Sequence, residues 1–159
     1  YLKVDKMSLR ENIEEKYKYA VKNKKANEIN TLRLVKSAIK DKDIALRGQE
    51  NKELIDESEI LSLLQSLIKQ RKDSIDSFKV ASRDDLIVIE QGEIDIISKF
   101  LPEQMNEDET LELISKIIKD NNLVSLKDMG KVMNELKLNH AGSLDMALAG
   151  KLAKSKLIN

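Results

Sequence analysis

The chain has 159 residues, of which 41% are hydrophobic, 35% charged and 3% aromatic, with Gly 5, Pro 1 and Cys 0. So few turn-forming residues exclude a sandwich or barrel of many short strands, and the lack of cysteine excludes disulfides, thiol catalysis and cysteine-ligated metal. Lys+Arg and Asp+Glu number 28 each, so the formal net charge is zero; this excludes a globally basic nucleic-acid binder but leaves room for a local basic face.

The first helix is predicted behind Ser8-Leu9-Arg10-Glu11, a capping box in which the serine hydroxyl accepts from the amide three residues on and the glutamate reaches back. It runs to about Asn23 with Leu9, Ile13, Tyr17, Ala20 and Val21 on one face. A second helix opens near Asn27 and carries Ile29, Leu32, Val35, Ile39 and Ile44, with Gly48 as its stop. Residues 48–56 are polar and non-periodic and read as a surface loop. A third helix starts at Asp56 or Ser58 and runs to about Ala81, with Ile60, Leu61, Leu64, Leu67, Ile68, Ile75 and Phe78 at helical spacing. After Ser82-Arg83-Asp84, a fourth uses Leu86, Ile89, Ile94 and Ile97 and ends at Phe100-Leu101-Pro102, because the residue before proline is pushed out of the helical region.

Asn106 to Glu109 form a second capping box, ahead of a helix with Leu111, Ile114, Ile117 and Ile118 that stops at Asn121-Asn122. Ser125 to Asp128 cap a short sixth helix with Met129, Val132, Met133 and Leu136. Asn139-His140-Ala141-Gly142 is a turn, and Ser143 opens a last helix with Leu144, Ala147, Leu148, Leu152 and Leu157. The expected fold is all-α: a four-helix N-terminal subdomain over residues 1–101, then a three-helix C-terminal tail over residues 102–159. No apolar run approaches the ~20 residues of a membrane-spanning helix. Tyr1 precedes Met7; residues 1–6 are either foreign to the protein or the stub of a longer N-terminus, so a removed targeting segment stays open.

The neutral total hides a segregation. Residues 1–47 carry net +6, residues 48–101 net −5, residues 102–122 net −4 and residues 123–159 net +3. Solvated helix faces and acids at helix N-termini account for part of this. The basic ends could also meet phosphates, read by shape and backbone because aromatic residues are scarce.

Catalytic constellations are sparse. A serine nucleophile would have to use His140, the single histidine, which sits in the predicted turn with no Gly-x-Ser-x-Gly elbow around any serine. Phosphate-cradling glycine motifs are absent. Asp84, Asp85, Glu90, Glu93 and Asp95 could be imagined as a magnesium or acid–base cluster, but capping and ion pairing explain them more cheaply. Lys127 and Lys131 lie four apart and share a helix face, and can be read as solubilising charges or as a phosphate clamp, with Gly130 between them letting a partner backbone approach.

Several motifs carry a resemblance. Thr31-Leu32-Arg33-Leu34-Val35-Lys36, Lys69-Gln70-Arg71-Lys72-Asp73-Ser74, Arg83-Asp84-Asp85-Leu86, Phe100-Leu101-Pro102-Glu103-Gln104 and Lys127-Asp128-Met129-Gly130-Lys131-Val132-Met133 occur in the order found in the YqeY family, which the chain resembles from about Ser8 to Leu157. The resemblance implies an all-helical protein whose module also forms the C-terminal tail of GatB, a subunit of the glutamine-dependent aminoacyl-tRNA amidotransferase. There it helps hold tRNA while another domain performs the carbon–nitrogen ligation with glutamine as amido-N-donor. Contact with tRNA is therefore carried over, and catalysis is not.

By match to the tail motif, Lys127, Gly130, Lys131, Gly142 and Lys151 are the expected RNA-binding positions, the two glycines letting backbone approach phosphate or allowing a tight turn, with Asp128, Asp145 and Pro102 in structural or capping roles. No catalytic residue, metal or cofactor is expected. The implied partners are tRNA and an amidotransferase or aminoacyl-tRNA synthetase, without a membrane. The implied location is the cytoplasm for a bacterial protein and a mitochondrion or other organelle for a eukaryotic one. The alternative reading is a protein-interaction scaffold without RNA binding, which would expose an apolar patch around Val124, Leu138 and Leu157. An independent enzyme would need a pocket of convergent polar groups.

Overall fold

The computed structural model describes residues 7–49 and 54–158. The regular elements among them are all helical: α1 (Leu9–Lys22), α2 (Ala26–Arg47), α3 (Glu57–Val80), α4 (Asp84–Ser98), α5 (Glu107–Asp120), a 3-10 turn at Leu126–Asp128, α6 (Met129–Asn139) and α7 (Met146–Ile158). The protein is all-α. The chain divides into two compact units, one ending at Leu101 and one beginning at Pro102.

Helix ends leave backbone amides and carbonyls without intrahelical partners, and the sequence supplies their partners locally. Ser8 and Glu11 close a reciprocal capping box at α1, and Asn106 and Glu109 do the same at α5. Asp56 caps α3 by accepting from the Glu59 amide at 2.9 Å. The C-terminal ends of α1, α3 and α5 share a second device. In each, the residue after the cap is left-handed, at Lys24 (φ 53°), Ser82 (φ 55°) and Asn122 (φ 52°). The two amides there turn back to the helix: Lys25 to Ala20 and Lys24 to Val21, Arg83 to Phe78 and Ser82 to Lys79, Leu123 to Ile118 and Asn122 to Lys119. These are Schellman motifs, in which glycine is usual; none of the three uses it. Gly48 stops α2 as expected, standing as its C-cap, but it is right-handed at φ −81° and so makes no use of its freedom.

In the first unit α1 pairs with α2, α3 with α4, and α2 also packs on α4. The core is Leu9, Ile13, Val35, Ile39, Ile55, Ile60, Leu64 and Ile97. Three residues expected on buried faces, Val21, Ile44 and Ile89, are exposed. On α2 the buried neighbour is Asp43, 5% exposed. The face turns there because a polar network needs it. Asp43 receives both terminal nitrogens of Arg10, at 2.9 and 3.1 Å, and the Ile55 amide at 2.9 Å. Arg10 also donates to the Ile55 carbonyl at 3.3 Å, and the Leu9 amide donates to Glu57 at 2.8 Å. The network ties α1, α2 and the start of α3 to the segment before α3. The expectation of a surface loop over residues 48–56 therefore fails at Ile55, which is buried among these groups; residues 50–53 lie outside the described residues. Across α3 and α4, Arg71 pairs with Glu93 at 2.7 Å and donates to the Leu67 carbonyl at 2.9 Å. Arg71 of the family-like motifs thus holds a helix pair together.

The second unit packs α5 and α6 against α7. Its core is Ile114, Ile117, Leu123, Val132, Leu136, Leu144, Ala149, Ala153 and Leu157. The last helix begins at Met146 rather than Ser143, because Asp145 accepts from the amides of Ala147 and Leu148 at 2.9 and 3.1 Å and thereby caps it. Its inner stripe is consequently Ala149, Ala153 and Leu157, four residues apart, and Ala147 faces solvent. The segment after Pro102 is strapped to the turn before α7: the Met105 amide donates to the Ser143 carbonyl at 2.7 Å, and the Gln104 side-chain amide donates to the carbonyls of Pro102 and Gly142 at 2.8 and 2.6 Å.

Two predictions follow from this packing. Arg10 holds the Asp43 carboxyl below its ordinary value of 3.8, chiefly through its hydrogen bonds; burial opposes this, and the Ile55 amide and the charges of Arg10 and Arg47 add to it. The folded chain then binds this proton less readily than the unfolded chain, so the contribution is complete above the ordinary carboxylate range and is lost as pH falls through the lowered value. Asp43→Ala should lower the unfolding free energy at pH 7 by about 2–3 kcal/mol, less than a fully buried pair because Arg10 is partly solvated. Urea titrations of the variant and wild type should converge as pH falls. Gly92 sits within α4, and an added Cβ there would meet nothing within 4 Å. Gly92→Ala should raise stability by about 0.5–1 kcal/mol in the same titration.

Candidate nucleic-acid interface

The tail motif straddles two kinds of helix. Lys127 lies in the 3-10 turn and Lys131 in the first turn of α6. A 3-10 turn advances about 120° per residue rather than 100°, so the two lysines are offset further around the axis than the four-residue spacing on one α-helix implies. The break is built by Asp128. Its carboxylate accepts from the Val124 and Ser125 amides at 2.9 and 3.3 Å and completes a capping box with Ser125. Those two amides are the main reason its pKa lies below the ordinary 3.8, with the charge of Lys131 adding to them against desolvation.

Asp128 is thereby spent on backbone, and its hold on the lysine beside it is loose. Lys131 lies 3.8 Å from it with a side chain 73% exposed. Lys127 is exposed and makes no ion pair among the described residues. Gly130, between them, is exposed, and an added Cβ would meet nothing within 4 Å. Packing gives no reason for glycine at this helical position. Lys151 projects from α7 in solvent. Lys154 follows it by three residues, also exposed and adjacent on the helix surface; its spacing from Lys151 is the signal that would have placed it with the others.

Gly142 behaves differently from the rest of the expected set. It is buried, left-handed at φ 79°, and its carbonyl accepts from Gln104. It forms the turn that feeds α7 and presents no open backbone to a phosphate. Asp145 caps α7, and Pro102 begins the strap that Gln104 fastens. The apolar patch imagined around Val124, Leu138 and Leu157 is reduced to Val124 (80% exposed) and Leu138 (70% exposed), because Leu157 is in the core.

Three acidic residues of the imagined first-unit cluster are committed elsewhere. Asp85 forms a two-point pair with Arg83 at 3.1 and 3.0 Å, Glu93 holds Arg71, and Asp95 accepts from Gln91 at 2.9 Å. Among the described residues no three side chains of metal-binding type converge. His140 is the C-terminal cap of α6, its backbone amide donating to the Leu136 carbonyl. No helix among the described residues is long and apolar enough to cross a membrane.

Comparison with known proteins agrees with the motif order. The chain is 40% identical over 97 residues to "Altered inheritance of mitochondria protein 41, mitochondrial" of Saccharomyces cerevisiae, covering 61% of this chain and 46% of the relative. The protein of the same name from Lachancea thermotolerans is 41% identical over 71 residues, 45% of this chain and 36% of the relative. That from Pyrenophora tritici-repentis is 27% identical over 125 residues, 76% of this chain and 66% of the relative. The chain thus spans less than half the length of the two yeast relatives. A family model described as "Yqey-like protein" matches residues 10–157, from Arg10 of the buried network to Leu157 of the second core, and the chain belongs to that family.

Proposed function

We propose that this chain is a non-catalytic accessory protein that contacts the phosphate backbone of tRNA through Lys127, Lys131 and Lys151, alongside a glutamine-dependent aminoacyl-tRNA amidotransferase or an aminoacyl-tRNA synthetase. The observation that supports it is the arrangement around Gly130. Two exposed lysines flank an open helical glycine, and the neighbouring carboxylate is tied to backbone amides. A glycine there costs helix stability relative to alanine; close approach of a ligand backbone gives it a use. The amidotransferase link comes from the family's tail module. The relatives' names place those proteins in mitochondria, which supports a mitochondrial setting for this one.

A second reading is a docking module for a protein partner. It is favoured by the exposure of Val124, Leu126 and Leu138 around the same motif. The two readings separate on salt. Phosphate contact releases counterions, so affinity for bulk tRNA should fall steeply with ionic strength, and Lys127→Ala/Lys131→Ala should weaken binding and make the log–log slope shallower by about two. Fluorescence-anisotropy titrations at several salt concentrations measure both. Binding that is absent at low salt would remove the tRNA reading.

Gly130→Ala sharpens the test. It should raise thermal stability, by about 0.5–1 kcal/mol, and weaken tRNA binding at the same time. A gain in stability with unchanged affinity would show that the glycine serves no bound backbone.

A further inference from the structure

A second cationic surface lies in the first unit, at the turn between α1 and α2. Lys22, Lys24 and Lys25 are exposed there, with Lys18 one helical turn before Lys22. Lys22 and Lys24 make no ion pair among the described residues, while Lys18 and Lys25 have only long contacts of 3.9 Å to Glu15 and Glu28. The dipole of α1 favours Lys22 in its last turn, but local physics argues against other features of the cluster. Lys18 and Lys22 are like charges four apart on one helix, which repel. Lys25 is the N-cap of α2 and supplies no side-chain cap, at the end where a cation opposes the helix dipole. Lys24 occupies the left-handed position of a Schellman motif, φ 53°, where glycine or asparagine would be unstrained. Asn122 fills the equivalent position after α5.

Beside this turn stands Tyr19, 54% exposed, with the Lys25 ammonium 5.1 Å from its ring centre. Among the described residues it is the one aromatic side chain in the exposed class; Tyr17, Phe78 and Phe100 are each partly buried. The apolar face of α1 is already occupied, since Leu9, Ile13 and Ala20 are buried, so this end of the helix offers point charges and an aromatic face rather than an insertable apolar stripe.

We propose that the α1–α2 turn is a second RNA-contacting surface, in which Lys22, Lys24 and Lys25 meet successive backbone phosphates and Tyr19 stacks on a base or ribose. The proposal rests on the tRNA reading above and adds a contact outside the tail motif. Its sharpest feature is Lys24, a residue that the backbone disfavours and that a polyanion would use.

Lys24→Gly tests it in the full chain, with bulk tRNA as probe. The substitution relieves the left-handed strain, so the melting temperature should rise by about 2–4 °C. Affinity for tRNA should nevertheless fall roughly three- to tenfold, and the salt slope should become shallower by about one. Ser82→Gly makes the same backbone change after α3 and should raise the melting temperature while leaving binding alone. Lys99→Ala removes one exposed cation elsewhere and should leave the slope unchanged. If Lys24→Gly melts higher and binds tRNA as wild type does, while Lys127→Ala/Lys131→Ala still weakens binding, the second surface is overturned and the tail reading stands. If wild type fails to bind tRNA at low salt, both fall. If Lys24→Gly loses binding to phosphatidylserine vesicles but keeps its tRNA affinity, the turn is a lipid contact and the proposal is overturned.

Discussion

An all-helical chain must satisfy the free amides and carbonyls at every helix end, and that requirement shapes most of this molecule. At several N-terminal ends, though not those of α2 and α4, the partners are side chains: Ser8, Asp56, Asn106, Asp128 and Asp145 each accept from backbone amides. At three C-terminal ends the backbone folds back on itself through a left-handed residue that is not glycine. Five glycines in 159 residues suffice because capping has been handed to polar side chains and to strained turns. The consequences reach both units. Asp145 sets where α7 begins and hence which stripe it buries, while Asp128 breaks the tail motif into a 3-10 turn and an α-helix and so decides how Lys127 and Lys131 are held.

The first unit adds one interaction of a different kind. Asp43 is a buried carboxylate matched on its acceptor sites by Arg10 and by the Ile55 amide. Taking a charge out of water is costly unless its hydrogen bonds are replaced. Here they are replaced by groups from two other segments, so the pair specifies how α1, α2 and the approach to α3 assemble. Arg71 and Glu93 do related work across α3 and α4. Arg71 and Lys36 of the N-terminal motifs are thus paired across helices, whereas the lysines of the tail motif face solvent.

Much of the architecture was legible in the sequence because it is written in local signals. Apolar spacing and capping boxes identify α1, α3 and α5 with their starts, and Pro102 marks the end of the first unit. What escaped depends on partners distant in sequence. Counting apolar residues selects Ile44, but Asp43 is buried because Arg10, 33 residues away, meets it. Ile55 looks like loop and is core for the same reason. The four-residue spacing of Lys127 and Lys131 implied one α-helix, and a 3-10 turn held by a carboxylate bonding two preceding amides widens the angle between them. Of the two uses expected of Gly142, approach to phosphate or a tight turn, its φ of 79° and its burial fit the turn. Lys24 gave no sequence signal, since its significance lies in a backbone angle.

The functional account rests on residues retained where stability alone would favour others: a glycine at an open helical position and a lysine at a left-handed one. Such departures from local preference are expected where a surface serves binding. The most direct test of the central proposal is lysine footprinting of the intact chain by amine acylation, read by mass spectrometry with and without tRNA. The account predicts that Lys127, Lys131 and Lys151 lose reactivity when tRNA is present and regain it at high salt. Saturating tRNA that leaves all three as reactive as in the free protein would contradict it.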